Sequence, residues 1–265
     1  MNRPSVYLHV GRTAARSHLA YLGEVAARAT FLTVLLYIFL QLWRITYAET
    51  GADRLGGFTL AQMLWYLAMT EAIILSAPPV TPAIDQDART GGIAVHLLRP
   101  ISYPFYRLWV ALGEQLVRFA LNALVGAVLA TALVGPAPLA ARGVAMFLVA
   151  IPLAFTLDFT AHLGIGLCAF WLEDTSGLAL LYRRATMLLG GVLLPIDLFP
   201  AGLRSALAFL PFRDVVYGPA HLFVQPDGDF LVRLLVRQAT GVAALGLVAA
   251  AVYRAGVRRI HAHGG

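Results

Sequence analysis

Four ionisable side chains interrupt long apolar stretches of the sequence: Glu71, Glu114, Arg118 and Asp158. A charge in the hydrocarbon region of a bilayer costs at least about 2.5–3.5 kcal/mol. Each of these side chains must therefore pair with another group or face a water-filled cavity. Such positions are typical of ion sites, proton relays and substrate pathways, so they are the first candidates for function.

Glu114, Arg118 and Asn122 recur every four residues, with Gln115 beside them, which predicts a polar stripe along one face of a helix. One interpretation is a translocation path or a proton-sensitive relay. The other is a neutralised Glu114–Arg118 ion pair that locks this helix against its neighbours. The ion pair is the favoured interpretation.

Asp158 and Glu71 leave similar alternatives. Asp158 stands four residues before His162, but two ligands do not make a metal site, so hydrogen bonding between helices is the favoured role. Glu71 has no oppositely charged residue within one helical turn. A substrate pathway and structural pairing with another helix are equally good interpretations of it.

Sequence motifs of enzymes are absent. There is no HExxH and no GxSxG, and the single cysteine, Cys168, lies in an apolar stretch. All 20 basic residues are arginine, whereas the nucleotide-binding P-loop requires a lysine. We therefore expect no catalytic residue, no metal site and no cofactor in this chain. ATP and its magnesium ion, if they are used, must be bound by a partner.

The composition indicates a membrane protein. Of the 265 residues, 59% are hydrophobic and 13% are charged, with a mean hydropathy of +0.74, whereas soluble domains carry about 25% charged residues. The net charge of +6 does not indicate a nucleic-acid partner, because the arginines flank apolar stretches instead of forming one basic surface. The lipid bilayer is the predicted surrounding.

The apolar stretches predict one all-α, polytopic transmembrane domain over residues 1–265. Several stretches reach the roughly 20 residues that cross a bilayer as a helix. An interfacial amphipathic helix is predicted at 5–24, a polar connection at 79–103, and short re-entrant helices in the proline-broken stretch 195–229. Six transmembrane helices are predicted at 25–47, 59–77, 104–133, 144–171, 178–194 and 230–253.

Arginine positions predict the orientation. Six crossings place both termini on one side, together with twelve arginines, and six arginines on the other. By the positive-inside rule both termini face the cytoplasm, the connection 79–103 is cytoplasmic and 195–229 is external. The opposite side carries Arg54, Arg142, Arg204, Arg213, Arg233 and Arg237.

Three segments then carry a family resemblance. These are DARTGGIAVHLLRPISYPFYRL, LCAFWLEDTSG and GGVLLPIDLFPAGLRSALAFLPFRDVVYGPAHLF. In this order and spacing they resemble the permease subunits of ABC type-2 transporters, and the similarity covers most of the chain. The resemblance implies a six-span exporter subunit of a bacterial cytoplasmic (inner) membrane, with an amphipathic elbow helix. It also implies two copies of a separate ABC ATPase and a second, homologous permease, with a homodimer as the less favoured arrangement.

The resemblance further implies a coupling helix that docks into the ATPase, at about Thr81 to Thr90. Closure of the ATPase dimer would move this helix together with the second and third spans. Asp85, Asp87 and Arg89 would be its charged contacts. The coupling residues are Thr81, Pro82, Ile84, Asp85, Gln86, Asp87 and Arg89.

In such permeases the second and fifth spans line the subunit interface. This points to one wall at 188–194 and to an opposite wall with Trp65, Tyr66, Met69 and Glu71. The short helices that carry Pro195, Pro200 and Pro211 would form the external gate. The residues assigned to the translocation path are Trp65, Tyr66, Met69, Glu71, Glu114, Arg118 and Asp158.

A different class remains as an alternative. The chain could be an ion- or proton-coupled secondary transporter or a channel that uses Glu71, Glu114 and Asp158 as its ion sites. Activity without an ATPase subunit would distinguish this class from a permease. A path with few charges suits apolar cargo better than highly charged solutes.

Overall fold

The computed structural model describes residues 4–18, 22–136, 141–207 and 209–263, and in these residues the fold is all-helical. The extended backbone there amounts to an isolated bridge between Leu55 and Phe58. The all-α prediction is therefore confirmed. The helices are α1 Pro4–His18, α2 Leu22–Thr50, α3 Leu60–Ser76, α4 Val80–Arg89, α5 Gly92–Leu97, α6 Tyr103–Val134, α7 Ala141–Leu167, α8 Ser176–Leu189, α9 Ala201–Leu207, α10 Phe212–Val215, α11 Tyr217–Val224 and α12 Gly228–His263.

Five helical stretches of the described chain are long and apolar enough to cross a membrane. They lie in α2, in α3 with α4, in α6, in α7 and in α12. Five of the six predicted crossings therefore correspond to helices of sufficient length, and the crossing predicted at 178–194 does not. The stretches are Ala29–Thr50, Leu60–Arg89, Tyr103–Val134, Ala141–Phe170 and Gly228–Arg259.

The predicted crossing at 178–194 differs from the others because its helix stops early. Helix α8 has 14 residues, about 21 Å at 1.5 Å per residue, and the hydrocarbon core is about 30 Å thick. Gly191, at φ +79°, adopts the left-handed conformation that glycine tolerates best, so the chain leaves the helix here. The stretch from Val192 to Pro195 continues without regular structure.

The carbonyl groups around this break accept hydrogen bonds from other parts of the chain. The Tyr217 amide donates to the carbonyl of Gly190 at 3.1 Å. From α3, the Tyr66 hydroxyl donates to the carbonyl of Gly191, and the Thr70 hydroxyl donates to that of Val192 at 3.4 Å. Non-helical backbone at membrane depth requires such partners because lipid supplies none.

Local sequence signals explain where α3 and α4 begin and end. Thr59 and Gln62 form a capping box at the start of α3, in which each side chain accepts a hydrogen bond from the other's backbone amide, at 3.3 and 3.1 Å. Pro78 and Pro79 then separate the two helices, because proline lacks an amide hydrogen. The connection predicted at 79–103 thus begins as a ten-residue helix, α4.

Aromatic side chains fill the main core. Phe119 of α6 meets Phe155 of α7 edge-on, with ring centroids 5.5 Å apart. Trp65 of α3 stacks on Phe223 of α11 at 5.7 Å, and Phe223 also meets Phe147 of α7 at 5.4 Å. Each such pair adds about 0.5–1.5 kcal/mol beyond its buried area. Together these contacts hold α3, α6, α7 and α11 as one unit.

Helix α1 packs on the beginning of α6. A Cβ atom at Gly113 would overlap the backbone of Gly11, so the two helices meet through glycine. The Ser102 amide, just before α6, donates to the Tyr7 hydroxyl at 3.0 Å. Helix α1 covers part of the predicted segment 5–24, and residues 19–21 lie outside the described chain. Its position at a membrane surface stays a prediction.

The proline-broken stretch 195–229 forms short helices. A single 3₁₀ turn at Ile196–Leu198 precedes α9, α10 and α11. Pro195, Pro200 and Pro211 each stand next to the beginning of one of these turns, where a missing amide hydrogen costs little. Most of α11 is buried against α3 and α7. Its re-entrant placement in a bilayer stays a prediction.

Candidate functional site

Helix α4 has one buried face and one exposed face. Val80, Thr81 and Ile84 are buried against α7, where Gly166 allows Ile84 a close approach. The exposed positions on the other side are Pro82, Gln86, Arg89 and Thr90.

Asp87 joins α4 to the first turns of α6. Its Oδ2 atom accepts hydrogen bonds from the Tyr103 hydroxyl at 2.7 Å and from Arg107 Nε at 2.9 Å. A second Arg107 nitrogen contacts the same carboxylate and also donates to the carbonyl of Ala83 at 3.3 Å. Both charged side chains are about one-fifth exposed. This partly buried pair therefore fixes the orientation of α4 relative to α6.

A second set of polar contacts runs from α4 across α7 to α8. The Thr81 hydroxyl oxygen lies 2.8 Å from His162 Nδ1 and 3.2 Å from the His162 carbonyl oxygen. His162 Nε2 lies 4.0 Å from Asp158 Oδ2, and the Tyr182 hydroxyl donates to Asp158 Oδ1 at 3.0 Å. The hydrogen bonds between helices that the sequence favoured for Asp158 and His162 are thus present. They connect α4 with two further helices.

Asp85 is also held within the chain. It forms an i, i+4 ion pair with Arg89 at 2.7 Å and accepts a hydrogen bond from the Thr175 hydroxyl at 2.9 Å. Thr175 lies in the connection between α7 and α8 and is buried. The carboxylates of Asp85 and Asp87 were expected to be contacts for a partner. Both bind groups of the same chain, and their contact with a partner stays a prediction. Gln86 and Arg89 are the polar side chains of α4 that are exposed.

Helix α5 continues this surface. Gly91, at φ +74°, turns the chain between α4 and α5. His96 of α5 packs against the rings of Tyr103 and Tyr106, at centroid distances of 5.4 and 4.7 Å. Burial, and then the nearby Arg99, lower the pKa of His96, so its neutral form is favoured near pH 7. Leu97 and Leu98 are exposed beside it.

The residues expected to line opposite walls of a subunit interface contact each other within one chain. Trp65 and Tyr66 are only 3% and 0% exposed. Trp65 Nε1 donates to the carbonyl of Gly135 at 3.4 Å, while the Tyr66 hydroxyl bonds to Gly191. Met69 borders an apolar groove between α6 and α7. The second-span side of the proposed path is thus mostly packed inside the protomer.

Glu71 is buried in α3, at 5% exposure, and makes no hydrogen bond or ion pair with the described residues. The cargo-pathway role and pairing with another subunit both stay predictions for Glu71. Glu114 and Arg118 form the i, i+4 ion pair that the sequence favoured, and their side chains are 13% and 15% exposed. Of the three residues considered as ion sites, Glu114 is thus paired with Arg118, and Asp158 accepts a hydrogen bond from Tyr182.

The segment expected to be the external gate carries two polar anchors. Asp197 accepts hydrogen bonds from the Tyr217 hydroxyl at 2.9 and 3.0 Å. Asp214 forms a two-pronged ion pair with Arg237 of α12, with nitrogen–oxygen distances of 2.9–3.1 Å. These bonds attach the short helices to one another and to α12.

Sequence spacing could not identify most of these partners. Arg107 lies 20 residues from Asp87, and Tyr182 lies 24 residues from Asp158. Helical spacing reveals only partners three or four residues apart. A useful signal was available for Arg107, because an arginine one turn inside a span, beside two tyrosines, requires an anion or a polar surface nearby. No cluster of three or more potential metal ligands occurs in the described residues.

Replacing Thr81 with valine should loosen α4 from α7. Valine keeps the shape of threonine but removes the hydroxyl that contacts His162. Hydrogen bonds between helices in membrane proteins contribute about 0.6 kcal/mol, and at most about 1.7, so we expect the melting temperature to fall by about 2–4 °C. Thermal unfolding in detergent measures this. The control is Thr33→Val, because Thr33 is exposed and its hydroxyl bonds only within its own helix. Equal melting temperatures for the two variants would contradict the contact.

Comparison with known families gives one match. The family model described as "ABC-2 family transporter protein" matches residues 31–264. The matched region includes most of α2 and all of α3 to α12, and therefore every polar contact of α4 described above. A search of the curated proteins found no match.

Proposed function

The chain belongs to the ABC-2 transporter family and is an integral, multi-pass membrane protein, and we propose that it is the permease subunit of an ATP-driven exporter. A separate ABC ATPase, in two copies, binds ATP and magnesium. The pairing of Glu114 with Arg118 and of Asp158 with Tyr182 leaves the rival, an ion-coupled transporter, less well supported.

The observation that carries this proposal is the way α4 is held. The helix stands at the end of a membrane-spanning helix and is tied by Asp87 to α6 and by Thr81 to α7. Its free surface is polar and contains Gln86 and Arg89. A helix that is rigidly attached to several spans and exposes a polar face is suited to receive force from a soluble partner. We assign it as the coupling helix.

The mechanism follows from these attachments. When ATP closes the ATPase dimer, α4 moves with the surface that holds it, and its bonds carry α6 and α7 along. ATP thus favours one of two conformations by binding only the closed ATPase dimer. Because Thr81 contacts α7, the moving unit includes the fourth predicted span as well as the second and third. The path then opens at the side of the short helices that contain Pro195, Pro200 and Pro211.

A second permease completes the proposed complex. Helix α8 exposes an apolar surface that includes Leu178, Leu181 and Leu188. This short helix cannot cross a bilayer alone, so a sister subunit is the partner that fits it. Glu71, which has no polar partner among the described residues, is the residue that we assign to the cargo pathway. With both termini cytoplasmic, α4 and α5 lie in the cytoplasm of a bacterial cell, at its inner membrane.

Chemical cross-linking tests the ATPase assignment. A cysteine at Gln86, in a Cys168→Ala background, should cross-link to the co-expressed ABC ATPase through a short bifunctional thiol reagent. The matched control is Asp53→Cys, because Asp53 is exposed in the connection between α2 and α3 and is predicted to face the other side. Mass spectrometry of the adduct identifies the partner. Equal cross-linking from both positions, or none from Gln86, would contradict the proposal.

A further inference from the structure

An apolar groove opens between α6, α7 and α12, with a volume of about 500 Å³. Phe105 and Leu108 form its α6 wall, and Phe159 and Leu163 form its α7 wall. On α12 it is bordered by Gly246 and then by Arg254. The groove runs along the outside of the helix bundle, since Phe105 is 55% exposed. Its apolar walls therefore face the hydrocarbon of the bilayer.

Small residues on α12 create the groove. Gly246, Ala249 and Ala250 lie on the side of α12 that faces α6 and α7. A Cβ atom at Gly246 would have its nearest neighbour, a methyl carbon of Thr160, at 4.0 Å, so the helices leave a gap there. The gap is elongated, because it extends along three turns of α12 from Val242 to Arg254. Its shape suits a hydrocarbon chain better than a compact molecule.

One end of the groove is positively charged. Arg254 lies at this end, is exposed, and forms no side-chain hydrogen bond or ion pair with the described residues. Arg258 lies one turn beyond and donates to the carbonyl of Arg254 at 3.3 Å, which places a second guanidinium nearby. The hydroxyl-bearing residues Ser102 and Tyr253 border the same end. A cationic end on an apolar groove complements an amphiphile whose head is anionic.

We propose that this groove binds one acyl chain of an anionic glycerophospholipid, whose phosphate contacts Arg254. The lipid belongs to the leaflet where α6 begins and α12 ends. A free inorganic anion would use Arg254 but leave the apolar walls uncovered. The guanidinium remains charged at any physiological pH and offers several donors to phosphate oxygens.

The same walls connect the lipid to the coupling helix. Phe159, Leu163 and Ala249 border the groove and also belong to the hydrophobic cluster that contains Val80 and Ile84 of α4. A lipid chain in the groove therefore supports the outer side of the cluster on which α4 rests. This link rests on the proposed function, whereas lipid binding itself requires only a membrane-embedded chain.

Native mass spectrometry of the full-length chain in mild detergent tests the proposal. The probes are palmitoyl-oleoyl phosphatidylglycerol and phosphatidylcholine, which share their acyl chains and differ in charge. We expect the wild-type chain to retain the anionic lipid about fivefold better, and Arg254→Gln to reduce this preference to less than about twofold, since the substitution removes the guanidinium charge that favours a negative headgroup. Arg233→Gln, at the other end of α12 and exposed, should keep it.

A second pair of variants tests the chain-binding part. Gly246→Leu should fill the groove and lower retention of both lipids, while Ala244→Leu, at an exposed position of the same helix, should not. Unchanged retention in Gly246→Leu would overturn the groove assignment. Displacement of phosphatidylglycerol by equimolar inorganic phosphate would show an anion site without an acyl chain. A disulfide between Phe105→Cys of one copy and Ala250→Cys of another would show that a second permease covers the groove. Either result overturns the proposal.

Discussion

Replacing Asp87 with asparagine should reduce the ATP-driven movement of α6 about tenfold or more, while the complex still assembles and hydrolyses ATP. The change removes the charge that faces Arg107 and leaves a partly buried guanidinium without its counter-ion. Hydrogen bonds to charged groups contribute about 1.5–3 kcal/mol, which is about a tenfold to hundredfold change in the population of the coupled state. Assembly should persist because Gln86 and Arg89, on the exposed face, are unchanged.

Spin labels measure this effect without knowledge of the cargo. One label is placed on a cysteine at Leu124, an exposed residue of α6, in the Cys168→Ala background, and a second on an exposed cysteine of the partner permease. The pair reports the distance between the two permeases with and without ATP. Arg107→Gln should resemble Asp87→Asn, and the double variant should lose less than the sum of the two, because the residues act as a pair. Tyr103→Phe should have a smaller effect, since the ion pair remains. Strictly additive losses, or normal ATP-driven movement in Asp87→Asn, would refute the role of this contact.

Replacing Gly166 with leucine should displace α4 from α7. A Cβ atom at Gly166 would lie only 2.8 Å from Ile84 Cβ and 3.2 Å from the Thr81 carbonyl oxygen. Overpacking of this kind costs about 1–3 kcal/mol, and relief requires α4 to move, which also breaks the Thr81–His162 contact. We expect stimulation of ATP hydrolysis by the permease to fall severalfold and trypsin to cut faster at Arg89.

The matched control is Gly164→Leu. Gly164 lies on the same helix, two residues away, and a Cβ atom there would meet nothing within 4 Å. Both substitutions raise intrinsic helix propensity equally, so the difference between them isolates the contact with α4. If Gly164→Leu and Gly166→Leu behaved alike in proteolysis and in ATPase stimulation, the close approach would have no functional role.

The sequence was informative where a property depends on neighbouring residues. The length of apolar stretches predicted helices at α2, α3, α6, α7 and α12, and the third predicted span, 104–133, lies within one residue of α6, Tyr103–Val134. The second predicted span, 59–77, ends within one residue of α3, just before Pro78 and Pro79. The i, i+4 spacing of Glu114 and Arg118 predicted their ion pair. Each of these properties depends on residues that are close along the chain.

Properties that depend on distant residues were not visible. Apolar composition alone suggested a helix through 178–194, but paired glycines ended it, and the stretch then packed on α3. A preference of glycine for turns competes with hydrophobicity, and only tertiary contact decides between them. Likewise the sequence did not reveal the partners of Asp87 within the chain, because Tyr103 and Arg107 lie in another helix.

The hydroxyls of Tyr66 and Thr70 also influence how fast the protein can change conformation. If α3 rotates or slides past the chain at Gly191 and Val192, both hydroxyl–carbonyl bonds must break before new partners are found. At about 0.6–1.7 kcal/mol each, they add about 1–3 kcal/mol to the activation barrier and slow the step roughly tenfold to a few hundredfold. The end of α8 at a glycine pair thus sets a kinetic barrier to the conformational change that we propose ATP to drive, and this barrier lengthens the lifetime of the resting state.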